Sequence, residues 1–310
     1  MGFQRTVRQP VRRGRHGRRT AKDDAIYVLR SLTKPFTATA AAILQENGEI
    51  DWLEPVRNYI PEFEGDGKDA VLIWQLLCHS SGMDADKGDE FRTAWWEENA
   101  GKRPSWELPD EERMELYRKG AEKLGIAPPE SSDDYMAQER INKLLRLKTP
   151  LFVSPGTRYS YYSYGYEMIR FIIEQVSGES LETFCRRHIF DPLGMDDTRW
   201  TLTPEQISRC AGRSAKSRAY EWLNSADGAL SDTSADAGLK SSMKDLTTFG
   251  QLFLRGGTLD GVRIISPASA RLMIDPDADM VVAFYVCERA ENSFYDDMSR
   301  VINVLYSALD

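Results

Sequence analysis

Helix signals dominate this sequence and constrain its fold more than any other feature. Several segments repeat apolar residues at the three- and four-residue spacing of a helix with one buried face. Most of them are followed by a glycine, a residue that commonly ends a helix. Helices are predicted for 35–47, 69–79, 164–177, 180–189, Ser242 to Gly256, Pro267 to about Met273, and 293–309. Strands are predicted for 24–29 and 280–286, with a weaker signal at 262–265. The sequence therefore indicates a helix-rich fold with little sheet.

Residues 84–150 differ from the rest of the chain because they are dense in Glu, Lys, Arg and Leu. Prolines at positions 104, 109, 128 and 129 interrupt this segment, so we expect exposed helices separated by turns. The segment also contains Trp95, Trp96 and Trp106. We interpret it as a charged helical insertion within a single domain that spans 23–310.

The first 20 residues contain seven arginines and no acidic residue, although the chain as a whole carries a net charge of −8. We interpret residues 1–22 as a basic disordered tail; an organelle transit peptide and a nucleic-acid-binding arm are the alternatives. The segment lacks the apolar core of a secretory signal. The remainder of the chain is strongly acidic, which argues against nucleic-acid binding by the folded part.

Composition excludes several classes of protein. No apolar run approaches the roughly 18–20 residues of a membrane-spanning helix, so no membrane span is expected. Four cysteines without CxxC spacing and only three histidines argue against a disulfide-stapled module and against a zinc site. We therefore expect no metal ion. Few cysteines and no secretory signal leave the location open and slightly favour the cytoplasm, and the oligomeric state is not indicated.

Ser31 and Lys34 form the candidate catalytic pair. Residues three apart on a helix share a face, so this spacing places an amine or ammonium group beside a hydroxyl. A serine hydroxyl becomes a good nucleophile when a neighbouring group takes its proton. A second SxxK occurs at Ser241–Lys244, where a helix cap is a sufficient explanation. Ser31–Lys34 is the stronger candidate because an alanine-rich helix follows it directly.

Several blocks in order along the chain resemble the serine β-lactamase-related family, which includes class C β-lactamases, DD-peptidases, esterases and transesterases. The resemblance begins with Ser31–Lys34 and extends over about 260 residues. The matching blocks are PFTATAAAILQENGEIDWLEPVRNYIPEF (35–63), LIWQLLCHSSGM (72–83), SPGTRYSYYSYGYEMIRFIIEQVSG (154–178), LETFCRRHIFDPLGMDDT (181–198), AGLKSSMKDLTTFGQLFLRGG (237–257) and DPDADMVVAFYV (275–286).

The resemblance implies a site and a reaction. Ser31 matches the acylated nucleophile, Lys34 the lysine of the same motif, and Tyr161 the tyrosine of the family's YxN motif, which relays or takes the proton. Ser163 stands at the substrate-binding Asn position of that motif. The implied activity is that of a serine hydrolase or acyl-transferase acting on a small-molecule ester, amide or lactam through an acyl-Ser31 intermediate. Such covalent chemistry uses side chains alone and implies no cofactor.

The implied fold is α+β, with a helical subdomain and an antiparallel sheet flanked by helices. Two departures lead us to expect an incomplete sheet and marginal stability. No KTG or HxG motif is found in the required region, and only about 30 residues precede Ser31, fewer than the family's first helix and two strands need. The alternative function is therefore an impaired or inactive homologue that acts, if at all, as a binding protein. A helical interaction protein with a chance SxxK is the remaining possibility.

Overall fold

The computed structural model describes residues 24–105, 107–131, 134–211 and 230–273, without the side chains of residues 135 and 136. The tail 1–22, the strand predicted at 280–286 and the helix predicted at 293–309 lie outside these residues. The described part has the α+β organisation expected from the sequence, with helices around two small antiparallel sheets. Among the described helices, none is long and apolar enough to cross a bilayer.

Helices form most of the regular structure. They are α1 (Lys34–Glu46), α2 (Ile73–Leu77), α3 (Ala85–Ala100), α4 (Asp110–Leu124), α5 (Tyr135–Lys148), α6 (Tyr164–Ser177), α7 (Leu181–Cys185), α8 (Asp191–Leu193), α9 (Pro204–Ser208), α10 (Met243–Leu254) and α11 (Pro267–Met273). A π-helical segment, Arg186–Phe190, joins α7 to α8, and 3₁₀ turns occupy Arg30–Thr33, Val56–Asn58 and Lys68–Ala70. Helices α1, α6, α10 and α11 match the predicted segments closely.

Two pairs of short strands make up the described sheets. Strand β1 (Ile26–Val28) runs antiparallel to β2 (Lys240–Ser242), and β3 (Thr258–Leu259) pairs with β4 (Val262–Arg263). The strand signals at 24–29 and 262–265 are confirmed. Strands β2 and β3 were not predicted because each has only two or three residues and no alternating apolar pattern. The β1–β2 pair brings the segment before Ser31 against the segment before α10.

Two other predictions were wrong in their extent. The helix expected over 69–79 is reduced to α2. Leu72 is extended, and its N–H donates to the side-chain oxygen of Gln75; this capping interaction starts the helix at Ile73. The helix expected over 180–189 instead continues through the π-helical segment and ends at Gly194, whose φ is +62°.

The main core forms where α1 packs against α6 and α7. Phe36 of α1 stacks on Phe249 of α10 with ring centroids 3.8 Å apart, and it meets Phe190 edge to face. Alanines at positions 40–42 are buried in the same core, and their small side chains let the neighbouring helices approach α1 closely. The helix that follows Ser31 is therefore fixed on several sides.

Helices α3, α4 and α5 lie in the segment predicted as a charged insertion, and its helical character is confirmed. They enclose a second apolar cluster around Trp96, Tyr117 and Ile141. Gly120 faces this cluster so closely that a Cβ atom there would lie 2.4 Å from the Trp96 ring. The segment thus has a packed interior of its own beneath its charged surface.

Candidate active site

Ser31 and Lys34 occupy the junction between a 3₁₀ turn and α1. Ser31 lies in the turn Arg30–Thr33 and is exposed, whereas Lys34 begins α1 and is only 5% exposed. The Lys34 Nζ donates to the Ser31 Oγ over 3.4 Å. The i, i+3 spacing therefore places the hydroxyl and the amine side by side, as expected from the sequence.

Tyr161 completes the arrangement from a loop far along the chain. Its phenolic oxygen lies 2.8 Å from the Ser31 Oγ, and the Lys34 Nζ lies 4.9 Å from the centre of its ring. Burial acts to raise the pKa of Tyr161. Hydrogen bonds with Lys34 and Ser31, together with the charge of Lys34, outweigh burial and hold this pKa below its ordinary value. The phenol thus lies within hydrogen-bond reach of the serine hydroxyl, in surroundings that favour its ionised form.

Ser163, the fourth residue singled out in the sequence, directly precedes α6 and is half-buried. Its hydroxyl adds a further hydrogen bond that helps to lower the pKa of Tyr161. The structure therefore brings Ser163 to the phenol of Tyr161.

The loop before β2 forms one wall of the site. The main-chain oxygen of Asp236 accepts a hydrogen bond from the Lys34 Nζ at 3.0 Å, and its carboxylate Oδ2 lies 3.6 Å from the same nitrogen. Sequence reasoning missed Asp236, because nothing local to 237–257 shows that this loop meets α1.

His79 packs against the ring of Tyr161, and it was also missed as a site residue. Its ring centre lies 4.5 Å from that of Tyr161, and its Nδ1 accepts the main-chain N–H of Tyr162 at 3.2 Å. Burial and the nearby charge of Lys34 lower the pKa of His79, so the neutral imidazole is favoured. The available signal was the His–Ser–Ser–Gly run in the block 72–83.

The residue before Ser31 has an unusual backbone. Arg30 has a φ of +53°, a conformation that is costly for a side chain larger than glycine. Its guanidinium pairs with Asp232 at 3.3 Å. Backbone strain at a turn is commonly held in place by such surrounding contacts, and here the turn exposes the hydroxyl of Ser31.

The second SxxK serves a structural purpose. Ser241 is fully buried in β2, where its hydroxyl lies 2.8 Å from that of Thr198. Ser242 caps α10 by accepting the N–H of Asp245 at 3.2 Å. Neither hydroxyl is open to a substrate. Within the described ranges, no cluster of three or more His, Cys, Asp or Glu side chains is suited to a metal ion.

The chain is similar in sequence to several known proteins. A family model described as Beta-lactamase matches residues 6–284. Penicillin-binding protein 4* of Bacillus subtilis (strain 168) is 27% identical over 197 residues, which are 63% of this chain and 35% of that protein. Esterase EstB of Burkholderia gladioli is 28% identical over 199 residues, which are 63% of this chain and 43% of the esterase.

Solved structures show the same fold. The octameric penicillin-binding protein homologue from Pyrococcus abyssi aligns with a TM-score of 0.54 and 23% identity, over 81% of this chain and 49% of that one. EstCE1, described as a hydrolase with promiscuous acyltransferase activity, aligns with a TM-score of 0.53 and 21% identity, over 80% of this chain and 62% of that one. The chain thus spans from about a third to three fifths of the length of these four proteins.

Proposed function

This chain belongs to the beta-lactamase family, and on that premise we propose that it is a serine hydrolase or acyl-transferase whose nucleophile is Ser31. The observation that carries the proposal is the contact of the exposed Ser31 hydroxyl with both Tyr161 and Lys34. Family members of similar sequence include a penicillin-binding protein and an esterase, which supports acyl-group chemistry at this serine.

In the proposed acylation, Tyr161 in its phenolate form takes the proton from the Ser31 hydroxyl. The Oγ then attacks the carbonyl carbon of the substrate, and the proton passes from Tyr161 to the leaving group. The separation of 2.8 Å is within hydrogen-bond reach, as a general base requires. Lys34 supplies the positive charge that makes the phenolate accessible. Deacylation repeats these steps with water or another acceptor in place of the serine.

The developing oxyanion needs hydrogen-bond donors. The Ser31 N–H lies in the first turn of a 3₁₀ segment, where backbone N–H groups have no partner within the helix. A second donor from a KTG- or HxG-type strand is not identified in the sequence. Loss of one such donor lowers turnover by about 10²–10³-fold where it has been measured. We therefore propose slow rather than efficient turnover.

The substrate is a small-molecule ester, amide or lactam. The charged helical segment 84–150 contacts the loop that carries Tyr161, where the Ser160 hydroxyl donates to the Asp84 carboxylate at 2.9 Å. Asp84 also caps the N-terminus of α3. We propose that 23–310 forms a single domain in which this segment supports the loop that carries Tyr161.

The nucleophilic reactivity of Ser31 is tested directly by intact mass, because a fluorophosphonate leaves a phosphonyl adduct on a reactive serine and a β-lactam leaves an acyl adduct. The protein is incubated with a fluorophosphonate and, separately, with a chromogenic β-lactam. We expect one adduct on the wild type and none on Ser31→Ala. Ser241→Ala, which alters the buried SxxK, is the matched control and should be labelled like the wild type. If the folded wild type gains no Ser31-dependent adduct, the proposed enzymatic function is rejected and a non-catalytic homologue that binds a ligand is favoured.

A further inference from the structure

We propose that Asp236 is a positioning residue for the acylation of Ser31, and that it acts by fixing the Nζ of Lys34. This inference rests on the proposed function. Asp236 lies 202 residues from Lys34 along the chain, yet both its main-chain oxygen and its carboxylate reach the same nitrogen. No motif in the sequence singled out this residue.

The first argument is the two-point contact itself. The Lys34 Nζ donates to the main-chain oxygen of Asp236 at 3.0 Å, while the carboxylate Oδ2 lies 3.6 Å away on the same residue. An ammonium group has three donors and can rotate about its last bond. The hydrogen bond to the main-chain oxygen and the ion pair with the carboxylate of the same residue restrict that rotation, and they leave donors for the Ser31 Oγ, 3.4 Å away, and for the phenol of Tyr161.

The second argument concerns the cost of burying a charge. Lys34 is 5% exposed and lies against the rings of Tyr161 and Tyr166. Buried ammonium groups are stable when they are paired with a carboxylate or fully hydrogen-bonded. The Asp236 side chain is itself only 18% exposed, so water screens this pair weakly. The Asp236 carboxylate thus compensates the positive charge of Lys34, and the phenol of Tyr161 requires that charge nearby.

The third argument is that the loop is held rigidly around Asp236. The main-chain oxygen of Ala235 accepts the hydroxyl of Thr37, on α1, at 2.7 Å, and the Ala235 N–H donates to the carboxylate of Glu167, on α6. The main-chain oxygen of Ser234 accepts the indole N–H of Trp200 at 3.0 Å. Because three separate parts of the chain anchor residues 234 and 235, the backbone that carries Asp236 is held independently of Lys34.

The test uses the rate of fluorophosphonate labelling of the full chain, followed by intact mass. Asp236→Asn keeps the shape of the side chain but removes its charge, and we expect labelling to slow by about tenfold or more, since small misplacements of reacting groups have effects of that order. Asp236→Glu restores a carboxylate and should recover part of the rate. Asp196→Asn, an exposed carboxylate on another loop, is the matched control and should label at the wild-type rate.

A double-mutant cycle separates positioning through Lys34 from a general structural role. Asp236→Asn should have no further effect in the background of Lys34→Ala, because the group through which it acts is gone. If the two effects multiply instead, or if Asp236→Asn labels within threefold of the wild type, the role of Asp236 is overturned. Should Asp236→Asn lose cooperative unfolding, the same cycle is run with Asp236→Glu. A wild type without any Ser31 adduct overturns the proposed function as well, whereas equal labelling of wild type and Asp236→Asn overturns this inference alone.

Discussion

The Ser31 Oγ and the Tyr161 phenolic oxygen lie 2.8 Å apart although 130 residues separate them along the chain. Ser31 lies on a 3₁₀ turn fixed by α1, and Tyr161 lies on a loop fixed by α6. The contact that α1 makes with α6 in the main core therefore helps to set the distance between these two oxygen atoms. The packing of α1 against α6 therefore affects the proposed chemistry at Ser31 through this one distance.

Removal of the phenolic oxygen should abolish most of the acylation. In Tyr161→Phe we expect fluorophosphonate labelling of Ser31 to slow by about 10²–10⁴-fold, the usual contribution of a positioned acid or base. The melting temperature should change little, because Tyr161 is 43% exposed. Tyr159→Phe is the control on the same loop and should label normally. Equal rates for the two variants would contradict a proton-transfer role for Tyr161.

The pH dependence of labelling should follow the ionisation of Tyr161. Because the phenolate is the proposed base, the labelling rate should rise with pH through the pKa of Tyr161. Lys34 holds that pKa below its ordinary value by hydrogen bonding and charge. In Lys34→Met the pH at which the labelling rate rises should therefore be higher, as measured by labelling rates and by tyrosinate absorbance. If the rate falls but this pH does not change, Lys34 does not lower the pKa of Tyr161.

The buried Lys240 should make stability depend on pH. Burial lowers its pKa from 10.5 to about 8. Between these two values the unfolded chain binds more protons than the folded chain, so the free energy of unfolding should rise with pH. Relative to Lys240→Met, the wild type should gain up to about 3 kcal/mol between pH 7 and pH 10.5, given about 1.36 kcal/mol for each pKa unit.

Urea unfolding of both proteins at several pH values measures this difference. Lys244→Met, which removes an exposed lysine on the adjacent helix α10, is the control for the loss of a lysine as such. A difference in the free energy of unfolding between wild type and Lys240→Met that does not change with pH would mean that Lys240 is not neutralised by its burial.

The stability of the second apolar cluster should depend on the absence of a side chain at Gly120. A Cβ atom at this position would lie 2.4 Å from the Trp96 ring, so Gly120→Ala should destabilise the cluster by about 1–3 kcal/mol despite the better helix propensity of alanine. Tryptophan fluorescence during urea unfolding reports the change. Lys119→Ala on the exposed surface of α4 is the control. Unchanged stability of Gly120→Ala would show that the three helices can shift apart at little cost.

The local features of this molecule could be read from the sequence. The bounds of α1 and α6 follow from apolar spacing and glycine stops, and the adjacency of Ser31 and Lys34 follows from their spacing on one helical turn. The family resemblance added Tyr161. These features depend on residues close together in the chain or on a motif shared with known proteins.

The features that could not be predicted all arise from distant segments that meet in space. Strand β2 is a strand because β1 lies beside it, and its own residues carry no strand pattern. The contact of Asp236 with Lys34 depends on how the loop before β2 folds back over α1. The left-handed backbone of Arg30 and the pairing of its side chain with Asp232 are likewise revealed by no local pattern.

The pairing of β1 with β2 has a consequence for biosynthesis. Ser31 lies near the start of the chain, whereas the loop that contacts Lys34 and the strand that pairs with β1 are made some 200 residues later. Closing so long a loop is entropically costly and slow compared with forming the helices. A ribosome-bound chain therefore carries Ser31 in an unassembled state until the strand at 240–242 has left the exit tunnel, and the proposed site is complete only after that late closure.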